Sequence, residues 1–277
     1  MTVTLRRFFL AVFLTAIAAG GARAEDNGPF AGDCKGKSEI AHFEQGSLVH
    51  VAKRVAQKEA ITVIALGSSS TVGVGASSTL AAYPARLEAE LKRHFPGIPV
   101  RVVNRGVSGE DVAEMLRRFD RDIMQAKPDL VIWQLGTNAI LRDDGIASEQ
   151  PLIMEGLRRF KKANADLVLM NPQFAPKVLR DPDAIPMVDL IAKIAKDSNI
   201  PLFHRFELMR HWRDDLEMPY EQFLSQDLLH MNDFSYGCTA RYLAAAIADD
   251  VKTTTRKAVD GLHASIPSRA LLPAAGD

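Results

Sequence analysis

The chain has 277 residues, 34 Lys and Arg against 34 Asp and Glu, with 47% hydrophobic and 7% aromatic residues. That composition excludes intrinsic disorder, collagen-like repetition and a small disulfide-dense scaffold, and it leaves enough apolar residues to fill a sizeable core. Formal neutrality also argues against a nucleic-acid partner held by bulk positive charge.

The first segment has the order of a secretory signal. Arg6 and Arg7 supply a basic start, residues 8–19 form an apolar stretch, and Ala22-Arg23-Ala24 has the small-x-small form of a cleavage site. The expectation is cleavage after Ala24 and a secreted or periplasmic mature protein. Twelve apolar residues fall short of the roughly 20 needed to span a bilayer, so no stable membrane insertion is expected once residues 1–24 are removed. Their removal takes three arginines and no acid, leaving 31 basic against 34 acidic side chains, too mild an excess to predict a charged partner. Residues 25–37 read as an irregular lead-in. They contain Cys34, and Cys238 is the chain's one other cysteine. In an oxidising compartment the simplest outcome is one disulfide; two buried free thiols are the alternative.

From residue 38 onward, strand and helix patterns alternate. Residues 61–66 are a continuous, largely β-branched run ended by Gly67, as expected of a strand covered on both faces. Similar runs lie at 100–103, 130–135, 167–170 and 200–203. Between them Leu87, Leu91 and Phe95 recur every four residues, and Val112, Met115, Leu116, Phe119 and Ile123 mark one helical face. Ile153, Leu157 and Phe160 mark a third helix, and Ile185, Val188, Ile191 and Ile194 a fourth. An Ala-rich segment at 236–251 predicts a last helix. Parallel strands need crossovers of a dozen or more residues, so the alternation predicts one α/β domain over residues 38–252, a five-stranded parallel sheet between two helical layers. Residues 253–277 read as a C-terminal tail.

In open parallel sheets ligands bind beyond the carboxyl ends of the strands, and the unusual residues follow the first three of them. Gly67-Ser68-Ser69-Ser70-Thr71-Val72-Gly73 comes after the first strand, Asn104-Arg105-Gly106-Val107-Ser108-Gly109 after the second, and Gly136-Thr137-Asn138 after the third. Asp227-Leu228-Leu229-His230 precedes the last helix. A serine hydroxyl is a poor nucleophile until an imidazole takes its proton, and a carboxylate on the far ring nitrogen fixes the tautomer. Among the seven histidines, His230 has an Asp at a suitable offset.

With these four blocks in this order, the chain resembles the GDSL-type, or SGNH, serine hydrolases. Their blocks read G-D-S-x-[ST]-x-G, N-x-G-x-x-G, G-x-N-D and D-x-x-H. The resemblance implies the flavodoxin-like SGNH fold. It also implies Ser69 as nucleophile, His230 as base, Asp227 as its orienting carboxylate, and the Ser69 N–H, the Gly109 N–H and the Asn138 amide as oxyanion donors. Two positions depart from the pattern. Ser68 stands where the family usually has Asp, and Ala139 follows Asn138 where a second Asp is usual, so another group must hold that amide.

The implied activity is that of an exported serine esterase acting on small O-acyl groups of a small-molecule or polysaccharide ester, with no cofactor. Lipid, aryl or thioester hydrolysis, or an inactive carbohydrate-binding relative, are the alternatives. A nucleotide-binding reading fails for want of G-x-G-x-x-G or a P-loop lysine. No metal site is expected, because His204 and His211 belong to no ligand-spaced cluster. Asn171-Pro172-Gln173-Phe174, after the fourth strand, is either a lining of the substrate site or a plain proline turn.

Overall fold

A computed structural model describes residues 34–44, 47–142 and 145–264, with the side chains of 258–264 excluded. The expected signal segment, and the lead-in up to residue 33, lie outside the described residues. Five strands form one all-parallel sheet: β1 (Ile61–Gly67), β2 (Val100–Gly106), β3 (Leu130–Gln134), β4 (Asp166–Met170) and β5 (Leu202–Phe203), in the spatial order β2-β1-β3-β4-β5. β3 and β4 are buried at every residue, which is why they read as unbroken apolar runs. β2 is an edge strand with several exposed positions.

The helices are α1 (Val49–Gln57), α2 (Ser69–Val72), α3 (Tyr83–His94), α4 (Val112–Arg117), α5 (Thr137–Arg142), α6 (Ile146–Ala163), α7 (Pro176–Leu179), α8 (Ala184–Asp197), α9 (Arg205–Asp214), α10 (Tyr220–Phe223) and α11 (Asp233–Ala264). After β1 the chain steps outward to β2; after β2 it returns across β1 and then proceeds through β3, β4 and β5. Right-handed crossovers in opposite directions put their helices on opposite faces of the sheet. α11 packs with α3 and α1, while α4, α6 and α8 pack in sequence on one another. The reversal leaves a crevice between the carboxyl ends of β1 and β3, the usual ligand position in such sheets.

Several boundaries differ from the sequence expectation: β5 is confined to Leu202–Phe203, and the last helix begins at Asp233. β2 runs to Gly106, three residues longer, because it stays in register with β1 from Ile61 opposite Val100 to Gly67 opposite Gly106. The last helix continues to Ala264, past the 252 boundary read from the sequence. Its buried face ends at Val251, residues 252–257 are polar and half-buried or exposed, and residues 265–277 of the expected tail lie outside the described residues.

Cys34 and Cys238 are bonded, with Cα atoms 5.4 Å apart and 204 residues between them in sequence. The first described residues are thereby held on α11, helped by the Trp212 indole N–H donating to the Lys35 carbonyl at 2.7 Å. Replacing both cysteines by serine is expected to lower the unfolding free energy by up to about 5 kcal/mol, since a loop this long restricts the unfolded chain strongly. A urea midpoint unchanged in the double variant would contradict this.

Candidate active site

Ser69 opens the single turn α2 directly after β1, and the turn closes on itself through Gly73 and Val74 N–H groups donating to the Ser69 carbonyl at 3.0 Å. The three adjacent serines are sorted by their partners. The Ser68 hydroxyl and backbone N–H both donate to Gln134 Oε1, at 3.1 and 2.8 Å. Ser70 Oγ accepts from the Arg205 guanidinium at 2.9 Å. Ser69 Oγ lies 2.9 Å from His230 Nε2. At the first position where the resembling family usually has Asp, a Ser68–Gln134 pair anchors the turn, with Thr71 Oγ1 adding a third donor to the same oxygen at 3.3 Å.

His230 and Asp227 sit on a short loop closed by an antiparallel bridge between Leu224 and Met231. Leu228 adopts φ +53°, a left-handed conformation unusual for a bulky residue and one that costs about 1–3 kcal/mol. That bend lets one carboxylate meet several donors. Asp227 Oδ1 accepts from the Ser225 hydroxyl at 2.7 Å and from the Leu229 and His230 N–H groups at 3.0 and 2.9 Å, while Oδ2 lies 2.5 Å from His230 Nδ1. Burial opposes ionisation of Asp227, but the imidazole and these donors outweigh it and hold the carboxyl well below the usual carboxylate range. An ionised carboxylate can only accept, so Nδ1 carries the proton and Nε2 is the acceptor facing Ser69.

The second and third blocks pack against this line. Asn104 Nδ2 donates to the Thr71 carbonyl at 2.8 Å and so caps the end of α2, while its Oδ1 accepts from the Gly106 N–H at 2.9 Å. At Gly106 a Cβ would lie 2.4 Å from the Val72 nitrogen, so only glycine lets β2 approach the serine turn this closely. Gly109 has φ +83° with open space where a side chain would stand, leaving its backbone accessible. Asn138, near the start of α5, donates to the Glu110 carbonyl at 2.7 Å, which uses one of its two amide hydrogens and answers how it is held without the usual Asp. Arg142, on the same helix, donates to the Gly109 carbonyl and to Asp111, each at 2.5 Å. Gly109 and Asn138 are therefore brought into one unit. Arg118 joins that loop to the first block, donating to Glu110 at 2.6 Å and to the Gly67 carbonyl at 3.3 Å.

Asn171 and Gln173 are buried, with 0% and 1% exposure, so the segment after β4 forms a floor beneath the serine turn and does not line an open cleft. Sequence reasoning had no signal for Arg118 or Arg142. For Gln134 one existed: a polar side chain closing an otherwise apolar strand. Among the described residues no three His, Cys, Asp or Glu side chains converge as a metal site, and no helix is long and apolar enough to cross a membrane.

The model of the non-GDSL lipase-like family matches residues 33–253. An acetylxylan esterase of Geobacillus stearothermophilus is 33% identical over 76 residues, which is 27% of this chain and 32% of that protein, so the match spans about a third of the relative's length. In fold, the chain is similar to a two-domain esterase active on acetylated mannans, with TM-score 0.65 and 19% identity over 88% of this chain and 62% of that one. It is also similar to catalytic mutants of the acetylxylan esterase Axe2 from Geobacillus stearothermophilus. For one of these the TM-score is 0.58 and the identity 18%, over 68% of this chain and 94% of the other. The two Axe2 catalytic mutants replace a histidine and an aspartate three positions before it.

Proposed function

The chain belongs to the non-GDSL lipase-like family, and on that basis we propose that it is a serine esterase that removes acetyl groups from carbohydrate by way of an acyl-enzyme. The observation that carries this reading is the hydrogen-bonded line Ser69 Oγ, His230 Nε2 and Nδ1, Asp227 Oδ2, with contacts of 2.9 and 2.5 Å. The Asp-x-x-His spacing equals that of the two residues replaced in the Axe2 catalytic mutants. Acetylated xylan and mannan are the substrates named for the similar proteins, which supports an acetylated polysaccharide as the substrate class here. Export of the mature chain from Glu25 is part of the same reading, supported by the basic, apolar and small-residue order of the first 24 residues and by the Cys34–Cys238 bond.

In the proposed reaction the Ser69 oxygen attacks the ester carbonyl carbon while its proton passes to His230 Nε2. Asp227 stabilises the imidazolium that forms. The carbonyl oxygen becomes an oxyanion, received by the Ser69 and Gly109 N–H groups and by the second Asn138 amide hydrogen. Collapse breaks the bond to the sugar oxygen, which takes the proton from His230 as it leaves. Water then loses a proton to His230 and attacks the acetyl-enzyme; collapse releases acetate and restores the serine hydroxyl. Each donor fixed in advance is worth about 3 kcal/mol in the barrier, which gives the Glu110 contact on Asn138 a purpose.

The test is acetate release from acetylated xylan and mannan alongside turnover of p-nitrophenyl acetate, butyrate and octanoate. The expected order is acetate first, with kcat/KM falling as the chain lengthens, and acetate freed from at least one polysaccharide. Preference for octanoate with no release from polysaccharide would move the reading to lipid esters. Silence on every ester would leave a binding domain.

A further inference from the structure

Arg205, the first residue of α9, is completely buried. Its guanidinium donates to the Asn171 carbonyl at 3.1 Å, to Ser70 Oγ at 2.9 Å and to Gln173 Oε1 at 3.1 Å. All three acceptors are neutral. Burial lowers its pKa to about 10, which still leaves it charged near neutral pH. A buried cation without a counter-ion is costly, and such a group usually marks something the fold needs.

The ionisable groups packed around Arg205 and His230 do not supply that counter-ion. Burial pushes the Tyr83 phenol of α3 up to about 12 and raises the Tyr236 phenol of α11, so both are neutral. Glu207, on α9 itself, accepts from Asn171 at 2.8 Å and lies 3.5 Å from His204. Asp233 accepts from the Ser77 backbone and hydroxyl at 2.8 and 2.6 Å and pairs with Arg86. Asp227 is committed to His230.

The neutral acceptors lead straight to three of the four blocks. Ser70 follows Ser69. Gln173 Oε1 also accepts from Thr137 Oγ1 at 2.9 Å, one residue before Asn138, and Gln173 Nε2 donates to the carbonyl of Leu229, one residue before His230, at 3.5 Å. One side chain thus braces the serine turn, the amide donor and the histidine loop from beneath.

We propose that Arg205 is a positioning residue for ester cleavage: its fork fixes Ser69, Asn138 and His230 relative to one another, and its uncompensated charge favours the anion that develops above it. This rests on the esterase reading. Two consequences follow. Loss of alignment lowers kcat more than it raises KM, because the ester still binds but meets a misplaced hydroxyl. Loss of the nearby cation makes the His230 imidazolium easier to form, so the acid limb of kcat/KM moves to higher pH.

The experiment compares full-length wild type with Arg205→Met, Arg205→Lys and Gln173→Glu on p-nitrophenyl acetate from pH 5 to 9, with thermal melts of each. Gln173→Glu hands the guanidinium a counter-ion without opening a cavity, at the cost of the amide's bond to the Leu229 carbonyl, so it changes the charge even where Arg205→Met does not fold. Arg205→Met is expected to lose about 100-fold in kcat with KM changed by less than about threefold. Arg205→Met and Gln173→Glu are each expected to shift the acid limb upward by about half a pH unit, and Arg205→Lys to keep the wild-type limb while regaining part of kcat. An acid limb unmoved in Gln173→Glu and in any folded Arg205→Met overturns the proposal, reducing Arg205 to a structural clamp. An inactive wild type would instead be a failure of the esterase reading itself.

Discussion

Ser69→Ala is expected to lower kcat for p-nitrophenyl acetate by roughly 10⁵–10⁶-fold, the scale seen when a nucleophilic serine is removed from a hydrolytic triad. The expected loss is this large because neither neighbouring hydroxyl can substitute. Ser68 Oγ is directed to Gln134 and Ser70 Oγ accepts from Arg205, both beneath the turn and away from His230. Ser68→Ala and Ser70→Ala remove anchors and leave the attacking oxygen in place, so each is expected to keep measurable turnover. Comparable activity in Ser69→Ala and wild type would disqualify that hydroxyl.

Asp227→Asn is expected to cost about 10⁴-fold in kcat while leaving the fold intact. An asparagine amide can donate toward Nδ1, which leaves the ring proton on Nε2, where it cannot accept from Ser69. The carboxylate's low pKa also predicts the shape of the wild-type pH profile. A group whose folded pKa is depressed stabilises the fold above its unfolded pKa, near 3.9, and loses that contribution only as pH falls through the lower folded value. Asp227 therefore stays ionised throughout the range in which an imidazole titrates. The acid limb of kcat/KM is expected to have a slope of one, from a single proton. A slope of two, or wild-type kcat in Asp227→Asn, would contradict the assigned role.

The sheet and the four blocks were legible for one physical reason: both are written in local chemistry. Buried parallel strands need unbroken apolar runs, and a strand end that turns into a functional loop needs Gly67, Gly106 or Gly136 in fixed places. The groups that hold the blocks together obey no such local rule. Arg118 reaches from one layer to the Gly67 carbonyl, Arg205 reaches Ser70 across 135 residues of sequence, and Asn138 is held by a backbone carbonyl at Glu110, which carries no side-chain signal at all. α9 goes unread although Phe206, Leu208, Met209 and Trp212 fill its inner face, because the buried Arg205 and the interleaved charged residues of this ten-residue helix dilute the apolar stripe. From sequence Gln173 reads as lining or turn, whereas its burial and its three hydrogen bonds, to Thr137, Leu229 and Arg205, make it a strut.

In the proposed reaction the Ser69 hydroxyl oxygen, activated by His230, is the attacking atom. The most direct test of that role is labelling by a fluorophosphonate, whose phosphorus imitates the tetrahedral carbon; the serine oxygen bonds to phosphorus, fluoride departs, and the imidazole takes the proton. One added phosphonyl group per chain is expected, mapped by peptide fragmentation to Ser69 and absent from Ser69→Ala and from His230→Ala. A label on Ser68 or Ser70, or one that persists in Ser69→Ala, would contradict it.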